Sequence, residues 1–169
     1  MKKFSLIMLA IILILIPIIY YGGMIVRGVE FSKDCTSYLS LSANANSVEI
    51  AEERLTTAID YLEENNLTSG DCKFFVSNRP ENDIGYWYNN LKSAQTQLRE
   101  IIINNSATEL EKSNVLMKLR ETLLDDDRIV VPSSLWVYPN QTLIISVAII
   151  IWAIWIIPVV IFFKLSDLY

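Results

Sequence analysis

The side chains that could carry chemistry in this chain are carboxylates, two thiols and a run of aromatic rings, because histidine is absent. Without histidine, the triads that activate serine and most of those that activate cysteine are excluded. The pairs Glu52 with Glu53 and Glu63 with Glu64 fall on the polar sides of a predicted helix, where solvated charge is their ordinary role. Two cysteines alone leave no credible zinc, haem or copper site. The sequence therefore predicts a protein that is not an enzyme and holds no cofactor.

The run Asp125, Asp126 and Asp127 offers oxygen ligands of the kind that calcium prefers. It lacks the spacing and the glycine of an EF-hand loop, so no metal site is predicted there. Acidic residues are unfavourable at the negative end of a helix dipole, which predicts that a helix ends at this run. Five glycines in the whole chain also make a glycine-rich phosphate cradle improbable.

Cys35 and Cys72 are the two cysteines of the chain. In an oxidising compartment an isolated pair is expected to form a disulfide. Closing a loop of about 37 residues would stabilise the fold by roughly 3–4 kcal/mol on a chain-entropy estimate. Two free thiols are the alternative if the segment that carries them faces a reducing compartment.

Three consecutive aromatic residues, Tyr86, Trp87 and Tyr88, lie on a predicted helix. Neighbouring positions on a helix cannot all face one core, so at least one ring is expected at the surface. One interpretation buries Trp87 and leaves both tyrosines at its edge. A second makes the three a docking patch, since Tyr and Trp anchor many protein interfaces. A platform that stacks on a ligand is the third.

Two long uncharged runs, residues 4–26 and 129–163, lie on either side of the segment that carries these candidates. The second is continuously apolar over residues 143–163. About 20 apolar helical residues cross a hydrocarbon core, so each run is predicted to span a bilayer. The predicted fold class is an all-α membrane protein with two transmembrane helices flanking a bundle of about three helices.

In this topology, residues 1–26 form a short cytoplasmic terminus and a signal-anchor helix, and residues 27–141 form an extracytoplasmic helical domain. Residues 142–163 form the second span, and residues 164–169 form a short cytoplasmic tail. Lys2, Lys3 and Lys164 flank the runs and predict cytoplasmic termini, because cytoplasmic flanks collect cations. The expected location is a multi-pass position in a bacterial inner membrane. A cleaved signal peptide is the alternative for the first run, but that run is long and has no Ala-x-Ala site.

Aromatic residues near the ends of the two runs suit a belt at one membrane interface. They are Tyr20, Tyr21, Trp136 and Tyr138. Within the second run, Trp152 and Trp155 lie about one helical turn apart. They are interpreted as lipid-facing bulk or as residues that pack against the first span or another membrane protein.

Apolar residues at helical spacing predict three helices between the runs, near residues 48–65 and 84–103 and from a capping box at 106–109 to about 124. Capping residues are expected at Asn46, Asp83 and Ser106. Pro132 and Pro139 exclude a long helix over residues 129–141 and predict an extended segment.

Residues 27–141 carry 18 acidic and 11 basic side chains. This balance excludes a nucleic-acid partner, which would need a basic face. The predicted partners are the lipid bilayer and another membrane or extracytoplasmic protein, or a second copy through self-association. The predicted function is a non-enzymatic interaction or accessory subunit. The alternative is a sensor-like module, since two spans around a helical domain are similar in architecture to bacterial chemoreceptor-like sensors. Only residues 164–169 follow the second run, so a sensor would signal through a separate partner.

Overall fold

A computed structural model describes the backbone of residues 2–72, 82–104 and 106–166. Side chains are described over residues 15–72, 82–104, 106–140 and 143–156. The chain forms two compact units, Met1–Val26 with Asn140–Tyr169, and Arg27–Pro139. The second unit is called the bundle below. The short apolar patch at residues 74–76 and Pro80 lie outside the described residues.

Over the described residues, the elements follow one another as helices with one small hairpin. They are α1 (Lys2–Phe31), a π-helical turn (Ser32–Thr36), α2 (Ser37–Ala43), α3 (Val48–Glu64), α4 (Ile84–Ile103), α5 (Glu109–Leu123), β1 (Leu124–Asp125), β2 (Arg128–Ile129), a 3₁₀ turn (Leu135–Val137) and α6 (Gln141–Ser166). The three helices predicted from apolar spacing are therefore confirmed as α3, α4 and α5.

The N-terminal caps of α3 and α4 are set by short oxygen-bearing side chains. Ser47 has an extended backbone and accepts from the Ile50 N–H at 3.3 Å, so the cap of α3 lies one residue after the predicted Asn46. Asp83 caps α4 as predicted, accepting from the Tyr86 N–H at 2.9 Å. A cap of this kind satisfies a backbone donor that has no partner within the helix.

The cap of α5 is a full capping box, two residues later than the predicted Ser106. Thr108 Oγ1 accepts from the Glu111 N–H at 3.2 Å, and the Glu111 carboxylate accepts from the Thr108 N–H at 2.7 Å. These bonds to Thr108 hold the pKa of Glu111 below its usual value. Both members of the box are satisfied reciprocally, which favours this register over the one predicted from the sequence.

Helix α3 ends in a Schellman motif. Asn66 takes a positive φ of 55°, a conformation that Asn tolerates better than most residues. Its N–H donates to Glu63 O at 3.1 Å, and the Leu67 N–H donates to Leu62 O at 2.8 Å. Leu67 is buried, which supplies the apolar contact that accompanies this motif.

The core of the bundle lies where the apolar stripes of α3 and α4 meet. In α3 the apolar residues at helical spacing are all buried: Val48, Ala51, Leu55, Ala58, Ile59 and Leu62. In α4 the corresponding residues Ile84, Trp87, Leu91 and Leu98 are buried, whereas Ala94 and Ile101 are partly exposed. The end of α1, the π-helical turn and α2 complete the core from one side through buried Phe31, Cys35 and Leu39, respectively. These side chains make up one continuous hydrophobic cluster.

Helix α5 contributes less to this core than its composition suggests. Of its apolar residues, Leu119 and Leu123 are buried, whereas Leu110 and Met117 are exposed. The helix packs against α2, α3 and α4 along a narrow stripe, so its opposite side faces solvent.

The three aspartates after α5, Asp125 to Asp127, take part in a β-hairpin that follows the helix. Asp126 and Asp127 have positive φ values of 46° and 58°, as the central residues of a type I′ turn require. The turn joins β1 to β2, which pair antiparallel. Among the described residues, no group of His, Cys, Asp or Glu side chains is placed to hold a metal ion. The bundle is thus helical with a two-stranded hairpin, and the prediction of a purely all-α fold omitted this hairpin.

The prediction of two transmembrane helices is contradicted. No helix among the described residues is long and apolar enough to traverse a bilayer, which takes about 20 apolar residues. By this measure the two-span fold class, the signal anchor and the multi-pass location are wrong.

The other unit contains most of α1 together with α6. Tyr20 Oη donates to the Ile144 carbonyl, and the Tyr20 and Tyr21 rings meet edge to face with centroids 5.3 Å apart. Ile151 is buried, but many large apolar side chains of both helices are exposed.

Candidate interaction groove

An open groove of about 700 Å³ runs along one side of the bundle, where the π-helical turn, α2 and the start of α3 converge. It is lined by Lys33, Asp34, Ser37, Tyr38, Leu41, Asn44, Ala45, Asn46, Ile50 and Arg54. Apolar side chains form part of its floor, and charged or amide side chains stand around them. This composition is typical of a site that binds part of another molecule.

The π-helical turn explains why side chains of one short segment divide between core and groove. The Ser37 N–H and the Ser37 Oγ–H both donate to Ser32 O, the latter at 2.7 Å, so the turn is wider than an α-helical one. In a regular α-helix, a spacing of four residues drifts by about 40° per step. The wider turn absorbs that drift between Phe31, Cys35 and Leu39, all of which are buried. Isolated π-helical turns are rare and occur frequently at functional sites.

The apolar part of the groove consists of residues that the fold leaves partly uncovered. Leu41 is 55% exposed and Ile50 is 43% exposed, although both belong to helices that bury their other apolar residues. Tyr38 packs against the core with one side of its ring and borders the groove with the remainder. These three side chains give the groove an apolar contact area that water covers in the isolated chain.

The two cations that line the groove, Lys33 and Arg54, form only long, solvent-exposed ion pairs. Lys33 Nζ lies 3.7 Å from the Asp34 carboxylate, and Arg54 lies 3.6 Å from the Glu53 carboxylate. Exposed ion pairs of this kind stabilise a protein by only about 0–1 kcal/mol, so either cation can exchange its partner at little cost. Two cations and one anion line the groove, in a domain whose acidic residues outnumber its basic residues by 18 to 11.

The aromatic trio on α4 does not form one patch. Trp87 is buried, and its Nε1–H donates to Val130 O at 2.8 Å, which ties α4 to the segment after the hairpin. Tyr88 is partly buried and donates to the Glu63 carboxylate, whereas Tyr86 is exposed. This arrangement matches the interpretation in which Trp87 is core and the tyrosines lie at its edge. Tyr86 alone presents most of its ring to solvent.

The carboxylates of α3 connect it to α4. Glu52 accepts from Arg99 Nε at 2.6 Å and from Thr56 Oγ1 at 2.8 Å. The buried Gln95 side chain donates to Thr56 Oγ1 at 2.6 Å. Glu52 is therefore an element of a polar network between two helices and is not simply solvated, as was predicted for its pair with Glu53.

A second carboxylate of α3 accepts two hydrogen bonds from α4. Tyr88 Oη and Lys92 Nζ both donate to Glu63 Oε1, the lysine at 3.3 Å. The Tyr88 bond, followed by Lys92, holds the pKa of Glu63 below its usual value. Burial and the neighbouring Glu63 raise the pKa of Tyr88 to about 12. Both groups are thus fixed in the protonation states that support the helix pair.

The two cysteines do not form the predicted disulfide. Cys35 on the π-helical turn and Cys72 after α3 are both buried in the core cluster, and no disulfide joins these two described residues. Burial raises the pKa of the Cys35 thiol to about 12, because the charged thiolate is costly in apolar surroundings. The sulfur atoms therefore behave as small apolar groups of the core.

We expect neither thiol to react with an aromatic disulfide reagent in the folded protein, and both to react after denaturation. The raised pKa of Cys35 also gives a pH dependence. Above about 9.0, the usual pKa of the group, the unfolded chain releases a proton that the folded chain retains, so stability falls as pH rises toward about 12. Urea unfolding between pH 8 and 11 measures this decline. It should be shallower in Cys35→Ala, and an equal slope in both proteins would contradict the prediction.

Trp152 and Trp155, interpreted from the sequence as lipid-facing bulk or as packing residues, are both exposed on α6. Trp136 and Tyr138, expected in an interfacial belt, instead pack against the core of the bundle. The groove was missed by the reasoning from the sequence, because its residues come from three elements. The sequence offered one signal, which is that Ile50 is apolar but lies outside the apolar stripe of α3. Leu41 and Ile50 are both exposed in the structure.

No protein-family model matches this chain, and no match was found among curated proteins or solved structures.

Proposed function

We propose that the bundle is a non-enzymatic interaction domain that binds a segment of another protein in the groove. The observation that carries this proposal is the exposure of Leu41 and Ile50 in a concave site beside the π-helical turn. Docking an apolar segment there would remove this surface from water, which is the main favourable term in most protein association. Two carboxylates of α3, Glu52 and Glu63, accept hydrogen bonds from α4 and serve helix pairing.

The charge of the groove favours an occupant with acidic flanks. Lys33 and Arg54 stand at its border, and their present partners are exposed and weakly held. An acidic segment would exchange these pairs for its own carboxylates while its apolar residues cover Leu41 and Ile50. Such complementarity mainly increases association rate and specificity. The domain as a whole is acidic and would repel the same segment elsewhere on its surface.

Photo-crosslinking in the source cells tests this function. A photoreactive residue at position 41 should give a discrete product with a second protein, and the same residue at Thr96, which is exposed on α4, should not. Adding Ile50→Glu or Arg54→Glu should reduce the yield at position 41 by about tenfold, as expected for a loss of about 1.4 kcal/mol. Identical products from positions 41 and 96, or a yield unaffected by both substitutions, would reject the groove.

A further inference from the structure

We infer that the outer face of α5 is a self-association surface, on which α5 of a second copy lies antiparallel. This surface is separate from the groove, and the inference does not depend on the proposed function. The outer face is defined here by Leu110, Asn114, Met117 and Glu121, which recur at steps of four, three and four along the helix. All four are exposed. Residues at this spacing lie on one side of a helix.

The outer face carries two large apolar side chains that the rest of the chain leaves uncovered. Leu110 is 70% exposed and Met117 is 58% exposed. They lie two turns apart, or about 10 Å along the axis. If a two-fold axis passes between Ser113 and Asn114, Leu110 of one copy meets Met117 of the other, and the same contact recurs by symmetry. A two-fold interface of this type uses the same patch on both copies.

The charges beside the outer face are arranged for the antiparallel orientation. Glu109 lies on one flank near the start of α5, and Arg120 lies on the same flank near its end, about 20° away around the axis. In the antiparallel register, Glu109 of each copy is offset from Arg120 of the other copy by only about two residues along the helix axis. A parallel pair would instead place like charges together. The flank is therefore self-complementary in the antiparallel orientation.

The partners that these charges have now are easily exchanged. Glu109 pairs with Lys112 at 2.8 Å with its own side chain 89% exposed, and Arg120 pairs with Asp127 at 3.4 Å. Both pairs are solvent-exposed, and such pairs contribute little to stability. The same register brings Glu121 to the N-terminus of the opposing α5, where a negative charge is favourable. With two apolar residues per copy at its centre, the interface is small and the dimer is weak and reversible.

Disulfide trapping isolates this contact from any association through the apolar side chains of the other unit. Asn114→Cys places a thiol close to the two-fold axis, and mild oxidation of the full-length protein should yield a covalent dimer. The matched control is Thr96→Cys, an exposed position on α4 outside the outer face. The native thiols are buried and should not interfere. Equal trapping at positions 114 and 96 would overturn the inference.

Charge reversal then tests the orientation. In the Asn114→Cys background, Glu109→Arg and Arg120→Glu should each lower the trapping rate by about five- to tenfold, because each places like charges opposite one another twice. The double variant restores both pairs and should recover a rate within about twofold of the parent. Met117→Glu should abolish trapping. Circular dichroism melting confirms that each variant folds, and a double variant as slow as the single ones would overturn the antiparallel pairing.

Discussion

Replacing Leu98 by alanine is expected to lower the free energy of unfolding of the bundle by about 2–5 kcal/mol. Leu98 is fully buried on α4, within the continuous hydrophobic cluster of the bundle. Truncation removes the transfer free energy of its methyl groups and leaves a cavity that surrounding helices fill only partly. Urea unfolding followed by circular dichroism at 222 nm measures the change.

Ile103→Ala is the matched control for this substitution. It removes the same number of carbon atoms from the same helix, but Ile103 is 80% exposed. The expected loss is below about 0.5 kcal/mol, as is usual for surface substitutions. A similar loss for the two variants would mean that α4 does not pack against α3 through the stripe described here.

Gly70→Ala is expected to destabilise the bundle by about 2–4 kcal/mol. Gly70 has a φ of +119°, which side-chain-bearing residues rarely adopt, and forcing such a residue there costs about 1–3 kcal/mol. A Cβ at this position would also lie closer than 3.0 Å to three atoms of Tyr138. The Tyr138 ring packs against the core and cannot move aside freely. Thermal and urea unfolding measure the loss.

Gly28→Ala is a control with the opposite expected sign. Gly28 lies within α1, and a Cβ there would meet only Trp136 Cε3 at 3.9 Å, an ordinary contact distance. Because alanine favours the helix over glycine, a gain of about 0.5–1 kcal/mol is expected. The pair separates backbone strain from the general effect of adding a methyl group. If Gly70→Ala were as stable as the wild type, the left-handed turn beside Tyr138 would be wrong.

The helices of the bundle were largely readable from the sequence. Leu55 and Leu62 on α3, and Leu91 and Leu98 on α4, repeat at intervals that place them on one face, and all four are buried. This prediction succeeds because burial of an apolar stripe and termination by capping residues are both local in sequence. The cap of α4 lies at the predicted Asp83, whereas the caps of α3 and α5 lie one and two residues later than predicted, since several neighbouring oxygen-bearing side chains could serve.

The candidate interaction surfaces were harder to predict from the sequence than the helices were. Leu110 and Met117 have the same residue types as core positions, and only the packing of α5 shows that they face outward. The bonding state of Cys35 and Cys72 likewise depends on their places within the core and not on their number. Long uncharged runs suggested two membrane spans, but no helix among the described residues is long and apolar enough to cross a bilayer.

The sequence by itself therefore determined the helical character of the bundle, the approximate limits of α3, α4 and α5, and the absence of histidine chemistry. These properties depend on residue type and on spacing within one or two helical turns. Only the tertiary structure decided that Ser32–Thr36 forms a π-helical turn, that Leu41 and Ile50 border a groove, and that one side of α5 is left uncovered. Each of these depends on which distant helix is present to cover a given face. That choice is made by close packing of the whole core, which no local pattern contains.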